Sequence, residues 1–277
     1  MVAEGARVDA EMVRRGLARS REHAVALVAS GRVRADGRRV GKAAHRVGAA
    51  SALVVDADPD DPGYASRGAY KLAGALDRFA PRGLAVRGRR CLDLGASTGG
   101  FTDVLLRAGA RTVVCVDVGH GQLVRSLRDD ARTMVLEDRN VRSLSRQDIG
   151  GTADLTVADL SFISLVLVLP VIGAVTASDG DLVLLVKPQF EVGRERLGGG
   201  GRGVVRSTAL RREAVRSVAG AARDLGWGVH GACPSALPGP SGNLEYFLWL
   251  RRGRDALPPD AVDRSVEGDC GGEKVAR

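Results

Sequence analysis

Leu92-Asp93-Leu94-Gly95-Ala96-Ser97-Thr98-Gly99-Gly100-Phe101 is the stretch that decides how this chain folds. A short apolar run breaks into small residues and glycine, and a second apolar-periodic segment follows at once. That sequence of events predicts a strand, a tight turn and a helix over 98–108. Small residues let the backbone approach a ligand, and the start of the helix offers free N–H groups to it. The turn is not a P-loop, because no Gly-Lys-Ser/Thr follows. It is not a dinucleotide fingerprint either, since Gly95, Gly99 and Gly100 are spaced wrongly for GxGxxG.

Outward from this turn, apolar runs alternate with helical patterns. Strands are predicted at 90–94, 112–118, 133–136, 154–159, 181–186, 227–232 and 244–250, with further helices at 121–129, 165–177 and 209–225. Continuous apolar strands alternating with helices predict a mostly parallel α/β sheet covered on both faces. Asp117 ends the strand after the glycine turn, where a carboxylate can take a ribose diol. Asp138 and Asn140 follow the next strand and could bracket an adenine. Three such points at successive strand ends suit an adenosyl cofactor better than three unrelated turns.

Four ionisable residues then stand out. Lys71 lies in Arg67-Gly68-Ala69-Tyr70-Lys71, Asp159 in Val157-Ala158-Asp159-Leu160-Ser161, Lys187 in Val186-Lys187-Pro188, and Glu245 in Asn243-Leu244-Glu245-Tyr246. Three of them sit at or beside the ends of buried-strand patterns, where a charge is costly without a partner. Four unrelated ion pairs at sheet edges would explain each of them singly.

The N-terminal stretch is different in kind. Residues 1–47 hold 11 basic and 5 acidic residues, +6 of the total +8, and such a concentration points to a polyanion. Val8, Met12, Val13 and Leu17 recur at helical spacing. Ser20 is placed as an N-cap before Ala24, Leu27 and Val28, and Gly31 stops that helix. Residues 33–40 alternate around Asp36-Gly37, a hairpin signal. Asp56-Ala57-Asp58-Pro59-Asp60-Asp61-Pro62-Gly63 has linker composition.

Other classes find less support. Cys91, Cys115, Cys233 and Cys270 show no CxxC spacing, and the four histidines are scattered, so neither a metal site nor a disulfide framework is expected. The N-terminus carries no signal-peptide pattern, and a reducing, cytoplasmic setting is expected. Residues 160–178 are free of charge, a run near the length of a membrane span. Asp159 and Asp179 flank it, and Pro170 and Gly173 interrupt it. That suits the end of a strand, a turn and a buried helix, with no stable membrane insertion.

These residues carry two resemblances. Arg7-Val8-Asp9, Arg15-Gly16-Leu17-Ala18-Arg19-Ser20-Arg21, Gly31-Arg32-Val33, Gly37, Val40 and Lys42 resemble the RNA-binding module first seen in ribosomal protein S-four. That resemblance implies that Arg19, Arg21 and Arg32 face RNA phosphates, with Arg7 and Arg67 counted beside them. Ser66 to Leu72, Gly95 to Thr102, Asp117-Val118-Gly119-His120-Gly121-Gln122-Leu123, Ala158 to Ser164, Val186 to Glu191 and Pro238 to Phe247 resemble the TlyA-type family of rRNA 2′-O-methyltransferases, historically called haemolysins.

The family resemblance implies a seven-stranded Rossmann-like class I methyltransferase domain behind a small α+β RNA-binding domain. Its expected limits are 1–58 for the RNA-binding domain, 59–66 for a linker, 67–252 for the methyltransferase and 253–277 for a flexible tail. It further implies S-adenosylmethionine as donor, cytidine 2′-O-methylation of 16S and 23S rRNA, and ribosomal subunits as partners. Lys71, Asp159, Lys187 and Glu245 are then the catalytic tetrad, with Lys187 the base and Asp159 its orienting partner. Asp93, Gly95, Ser97, Thr98, Gly99, Gly100, Phe101, Asp117, Asp138, Asn140 and Asp159 form the cofactor site. Departures are the Gly198–Gly201 run, Tyr64 where the family linker often has Trp, and the tail. A membrane-active haemolysin is the alternative reading, and it needs a membrane-active segment that only 160–178 approaches. A nicotinamide-dependent dehydrogenase fails on glycine spacing, and a pseudouridine synthase would leave the adenosyl constellation unexplained.

Overall fold

A computed structural model describes residues 5–18, 20–57, 62–193, 203–253 and 255–268. Arg19, the Gly198–Gly201 run, Cys270 and residues 58–61 of the acidic linker lie outside the described residues. The chain divides into two compact units, Met1–Gly63 and Tyr64–Arg277.

The first unit holds β1 (Ala6–Arg7), α1 (Val8–Arg14), α2 (Arg21–Ala29), β2 (Val33–Ala35), β3 (Arg38–Arg39), β4 (Arg46–Val47) and β5 (Leu53–Val55). Val8, Met12, Ala24, Leu27, Val28 and Val33 make its core. Ser20 caps α2 as expected, its hydroxyl accepting the His23 amide N–H at 3.1 Å. Asp36 and Gly37 both take positive φ, 50° and 77°. A two-residue hairpin turn between Ala35 and Arg38 requires that conformation.

The second unit runs α3 (Gly68–Phe79), β6 (Arg90–Leu94), α4 (Gly100–Arg107), β7 (Thr112–Val116), α5 (Arg125–Arg128), β8 (Thr133–Leu136), β9 (Ala153–Ala158), α6 (Leu165–Val175) and β10 (Thr176–Val186). It continues through α7 (Pro188–Glu191), α8 (Thr208–Asp224), β11 (Trp227–Pro234), β12 (Tyr246–Arg252) and α9 (Pro259–Glu267). The sheet has seven strands in the order β11-β12-β10-β9-β6-β7-β8. β12 is antiparallel to both of its neighbours and the other pairings are parallel. Side-chain alternation splits the core. Leu92, Leu94, Val114 and Val116 pack toward α6, α8 and α9, while Cys91, Val113 and Cys115 pack toward α3 and α4.

The charge-free residues 160–178 divide into a loop, the 11-residue α6 and the start of β10, which begins at Thr176 and not at Asp181. One expectation is corrected here. Within the stretch from Gly253, expected to fray, residues 259–267 form α9, with Val262 and Val266 buried against the core; residues 269–277 lie outside the described residues. Those two valines lie one turn apart on one helical face, an apolar stripe too narrow to stand out in a polar segment. Arg216 Nε donates to Asp263 at 2.7 Å and fastens the helix to α8.

Candidate active site

The cleft forms where the winding of the sheet reverses. β6 and β9 are neighbours, and the chain builds outward from them to opposite edges, which is where open α/β sheets take ligands. Gly95 leaves β6 at φ 84°. A Cβ there would stand 2.5 Å from the Asp159 carbonyl oxygen, so no other residue lets the β6 and β9 ends approach this closely. At Gly100 a Cβ would come within 2.3 Å of Ser66 Oγ.

Two cavities open on this turn. One, of 290 Å³, is lined by Lys71, Gly95, Ser97, Thr98, Asp159 and Lys187, with Arg67, Gly100 and Phe101 also on its wall. The other, of 630 Å³, lies beside it and is lined by Asp117, Val118, Asn140, Val141, Asp159 and Ile163. Asp117 accepts the Ser97 amide at 2.8 Å and the Gly119 amide at 2.7 Å, one on each carboxylate oxygen. Each oxygen keeps a lone pair for a further donor. Asn140 accepts the Arg142 amide N–H at 3.0 Å and caps a short 3₁₀ turn.

Three predicted cofactor residues take other places. Asp93 is fully buried on the α3/α4 side of the sheet, where its carboxylate accepts the Thr102 hydroxyl at 2.7 Å. It braces the turn from beneath. Gly99 faces Leu123 and Leu127, and a Cβ would meet Leu127 at 2.3 Å. Asp138 turns to His120, 3.0 Å from its Nδ1.

Burial pushes the Asp93 carboxyl up to about 7, against an ordinary 3.8, with the charges of Asp159 and Asp117 adding to the shift. The folded state therefore holds a proton that the unfolded chain gives up above 3.8. Stability from this group is complete below 3.8 and is lost as pH rises toward 7. Asp93→Asn stays neutral. Its melting temperature should gain on wild type as pH rises from 5 to 7, by about 1.4 kcal/mol of stability per unit, and the gain should level off above. A gap constant across pH 5–8 in calorimetric melts would mean that Asp93 is ionised throughout.

Three members of the proposed tetrad stand at adjacent strand ends. Asp159 follows β9 and Lys187 follows β10. Glu245 precedes β12, whose Tyr246 pairs with Val186, so Glu245 lies beside Lys187 in the register. Lys187 Nζ lies 2.6 Å from Asp159 Oδ1 and donates to Ser161 Oγ at 2.9 Å. Lys71, from the first turn of α3, donates to Glu245 Oε2 at 2.6 Å, and both are buried. The four residues therefore form two ion pairs at one cleft.

Three of the predicted RNA-facing arginines are already partnered, and Arg67 lines the 290 Å³ cavity. Arg7 and Arg21 both reach the buried Asp9, at 2.8 and 3.2 Å, and Arg32 Nε donates to the Asp56 carbonyl at 3.0 Å. The sequence reading missed Phe162 and Glu191, although both lie in the motif strings. Phe162 is 88% exposed and takes φ 64°. That conformation costs an aromatic residue about 1–3 kcal/mol. Its ring centroid lies 5.2 Å from that of Phe190.

Residues 64–252 match the FtsJ-like methyltransferase family, and residues 6–52 match the S4 domain. TlyA of Mycobacterium tuberculosis strain H37Rv, a 16S/23S rRNA (cytidine-2′-O)-methyltransferase, is 54% identical over 96% of this chain and 98% of its own length. The chain belongs to the TlyA-type, FtsJ-like methyltransferase family. Hemolysin A of Brachyspira hyodysenteriae is another relative, 34% identical over 87% of this chain and 98% of its own length. A solved structure of a Streptococcus thermophilus protein assigned as a hemolysin is similar at 36% identity, with a TM-score of 0.74 and 95% of each chain covered. Among the described residues no helix is long and apolar enough to cross a membrane.

Proposed function

We propose that the protein transfers a methyl group from S-adenosylmethionine to the ribose 2′-hydroxyl of cytidine in 16S and 23S rRNA, with ribosomal subunits as substrates in the cytoplasm. One observation carries this reading: Lys187 and Asp159, 2.6 Å apart at neighbouring strand ends, share a cleft with the glycine turn and with the buried Lys71–Glu245 pair. The substrate named for the Mycobacterium tuberculosis relative supplies the nucleotide and the two rRNAs.

The residues present suit the cofactor. Asp117 offers carboxylate lone pairs to a ribose diol, Asn140 an amide to an adenine edge, and Val118, Val141 and Ile163 an apolar bed for the ring. Small residues from Gly95 to Thr98 leave room for the amino-acid end. When bound, the cofactor supplies a methyl group activated by its sulfonium charge. The chain supplies alignment and a proton acceptor. A ribose hydroxyl is a poor nucleophile and must lose its proton as the new O–CH₃ bond forms. Lys187 Nζ accepts that proton only as the free amine, its own proton having left to solvent first and the accepted one following it after transfer. Asp159 fixes where Nζ sits, and Lys71 and Glu245 position the ribose. Alignment of hydroxyl and methyl is the larger part of the rate enhancement. The exposed Phe162 ring at the cleft wall suits stacking against a nucleobase.

Asp117→Ala should weaken S-adenosylmethionine binding by about 1.5–3 kcal/mol, the range for hydrogen bonds to a charged group. Isothermal calorimetry on the full chain reads this directly. Unchanged affinity would remove Asp117 from the cofactor site, and no binding heat from the wild type would remove the cofactor itself.

A further inference from the structure

Two segments meet beside the cleft, 159–165 leading into α6 and 187–191 leading through α7, and their contacts run in register. Lys187 reaches Asp159 at 2.6 Å and Ser161 at 2.9 Å. Phe190 packs on Phe162. At the far end Glu191 Oε2 accepts the Ser164 hydroxyl at 2.5 Å, and its Oε1 accepts the Leu165 amide N–H at 2.8 Å.

We propose that Glu191 is a positioning residue, a clamp that holds the 159–165 loop against the Lys187 segment so that Asp159 and Lys187 stay aligned. This deepens the methyl-transfer reading and rests on it. Three facts support the assignment. Glu191 spends both carboxylate oxygens on the other segment and lines neither of the two cavities that open on the glycine turn. It meets free donors at the start of α6, where Ser164 Oγ accepts the Val166 amide N–H at 3.2 Å. One acid and one hydroxyl thus satisfy the first turn of the helix together. Between the clamp and Asp159 lies Phe162 in the left-handed region, a conformation that persists only where the surroundings fix the loop on both sides. Asp159 anchors one side through Lys187, and Glu191 anchors the other. Burial raises the Glu191 carboxyl above its ordinary range, consistent with a half-buried group held between two segments.

Glu191→Ala and Glu191→Gln, made in the full chain, test this with three measurements. These are amide hydrogen exchange over 159–167, S-adenosylmethionine affinity by calorimetry, and single-turnover methyl transfer to ribosomal subunits. Glu191→Ala should speed exchange at Leu165 and Val166, keep cofactor affinity within about twofold, and slow transfer by about 10–100-fold, the cost of a small misplacement. Glu191→Gln keeps an acceptor for the Leu165 amide and should recover most of the rate. A wild-type rate in Glu191→Ala, whatever its exchange, would overturn the positioning role. So would cofactor affinity falling in step with the rate, which marks a merely structural residue. Wild-type protein that transfers no methyl would instead sink the methyltransferase reading. The clamp would then be judged on exchange alone, with unaltered Leu165 protection in Glu191→Ala overturning it.

Discussion

Lys187→Ala should bind S-adenosylmethionine and RNA nearly as wild type does and transfer methyl about 10²–10⁴-fold more slowly, the range for a positioned general base. The separation of binding from rate follows from geometry. Lys187 stands beyond β10, whereas the glycine turn leaves β6 and Asp117 leaves β7, so the proposed cofactor contacts are built from other strand ends. Removing the lysine nitrogen also leaves Asp159 without the partner it holds at 2.6 Å. Lys187→Arg should stay slow, because a guanidinium keeps its proton and cannot accept one from the hydroxyl. Single-turnover rates on ribosomal subunits check this. If Lys187→Arg ran near wild type, Lys187 would be an electrostatic clamp, and the base would have to be Lys71 or water.

Removing residues 1–63 leaves the compact Tyr64–Arg277 unit, and should uncouple RNA binding from cofactor binding. If Arg7, Arg21 and Arg32 each neutralise one phosphate, each contributes about 0.9 to the log–log salt slope on a duplex, or about 0.7 on single strands. At about 0.1 M salt the three together amount to about 10²–10³-fold in affinity, and the slope should flatten by about 2–3. S-adenosylmethionine affinity should not change. Filter-binding titrations across a salt series read both quantities. An unchanged slope would mean that the second unit carries the phosphate contacts and the first acts as a spacer. The ion pairs of Arg7 and Arg21 with Asp9 do not argue against phosphate binding. They hold two guanidiniums on one carboxylate, leaving further N–H donors directed elsewhere.

Much of this architecture is legible before any coordinates, because its signals are local. The hairpin turn is written in Asp36-Gly37, the α2 cap in Ser20, and the central strand and turn in Leu92 to Phe101. The strand order follows from the family resemblance and not from periodicity, whereas the Pro-Gly-rich residues 234–242 are long enough to return the last strand antiparallel. The site divides along the same line. Lys187 and Asp159 announce themselves as charges at the ends of apolar runs. Glu191 does not, because its meaning depends on Ser164 and Leu165, 27 and 26 residues earlier in the chain. Phe162 reads as an ordinary aromatic until its positive φ and exposure are known. Asp93 misleads for a plain reason. It alternates in the strand with Leu92 and Leu94, which face the opposite layer, so the pleat turns its carboxylate into the core and not into the cleft. The α9 stripe is lost because two valines among charged neighbours carry little periodic signal.

Whether this chain places a methyl group on a ribose oxygen of rRNA is decided by one incubation. Purified protein is mixed with unmethylated 30S and 50S subunits and methyl-labelled S-adenosylmethionine, and the labelled nucleotides are mapped. Label should appear on the 2′-oxygen of cytidine in both 16S and 23S rRNA and disappear with Lys187→Ala. Label on a base atom, or none on either subunit, would refute a 2′-O-methyltransferase of rRNA.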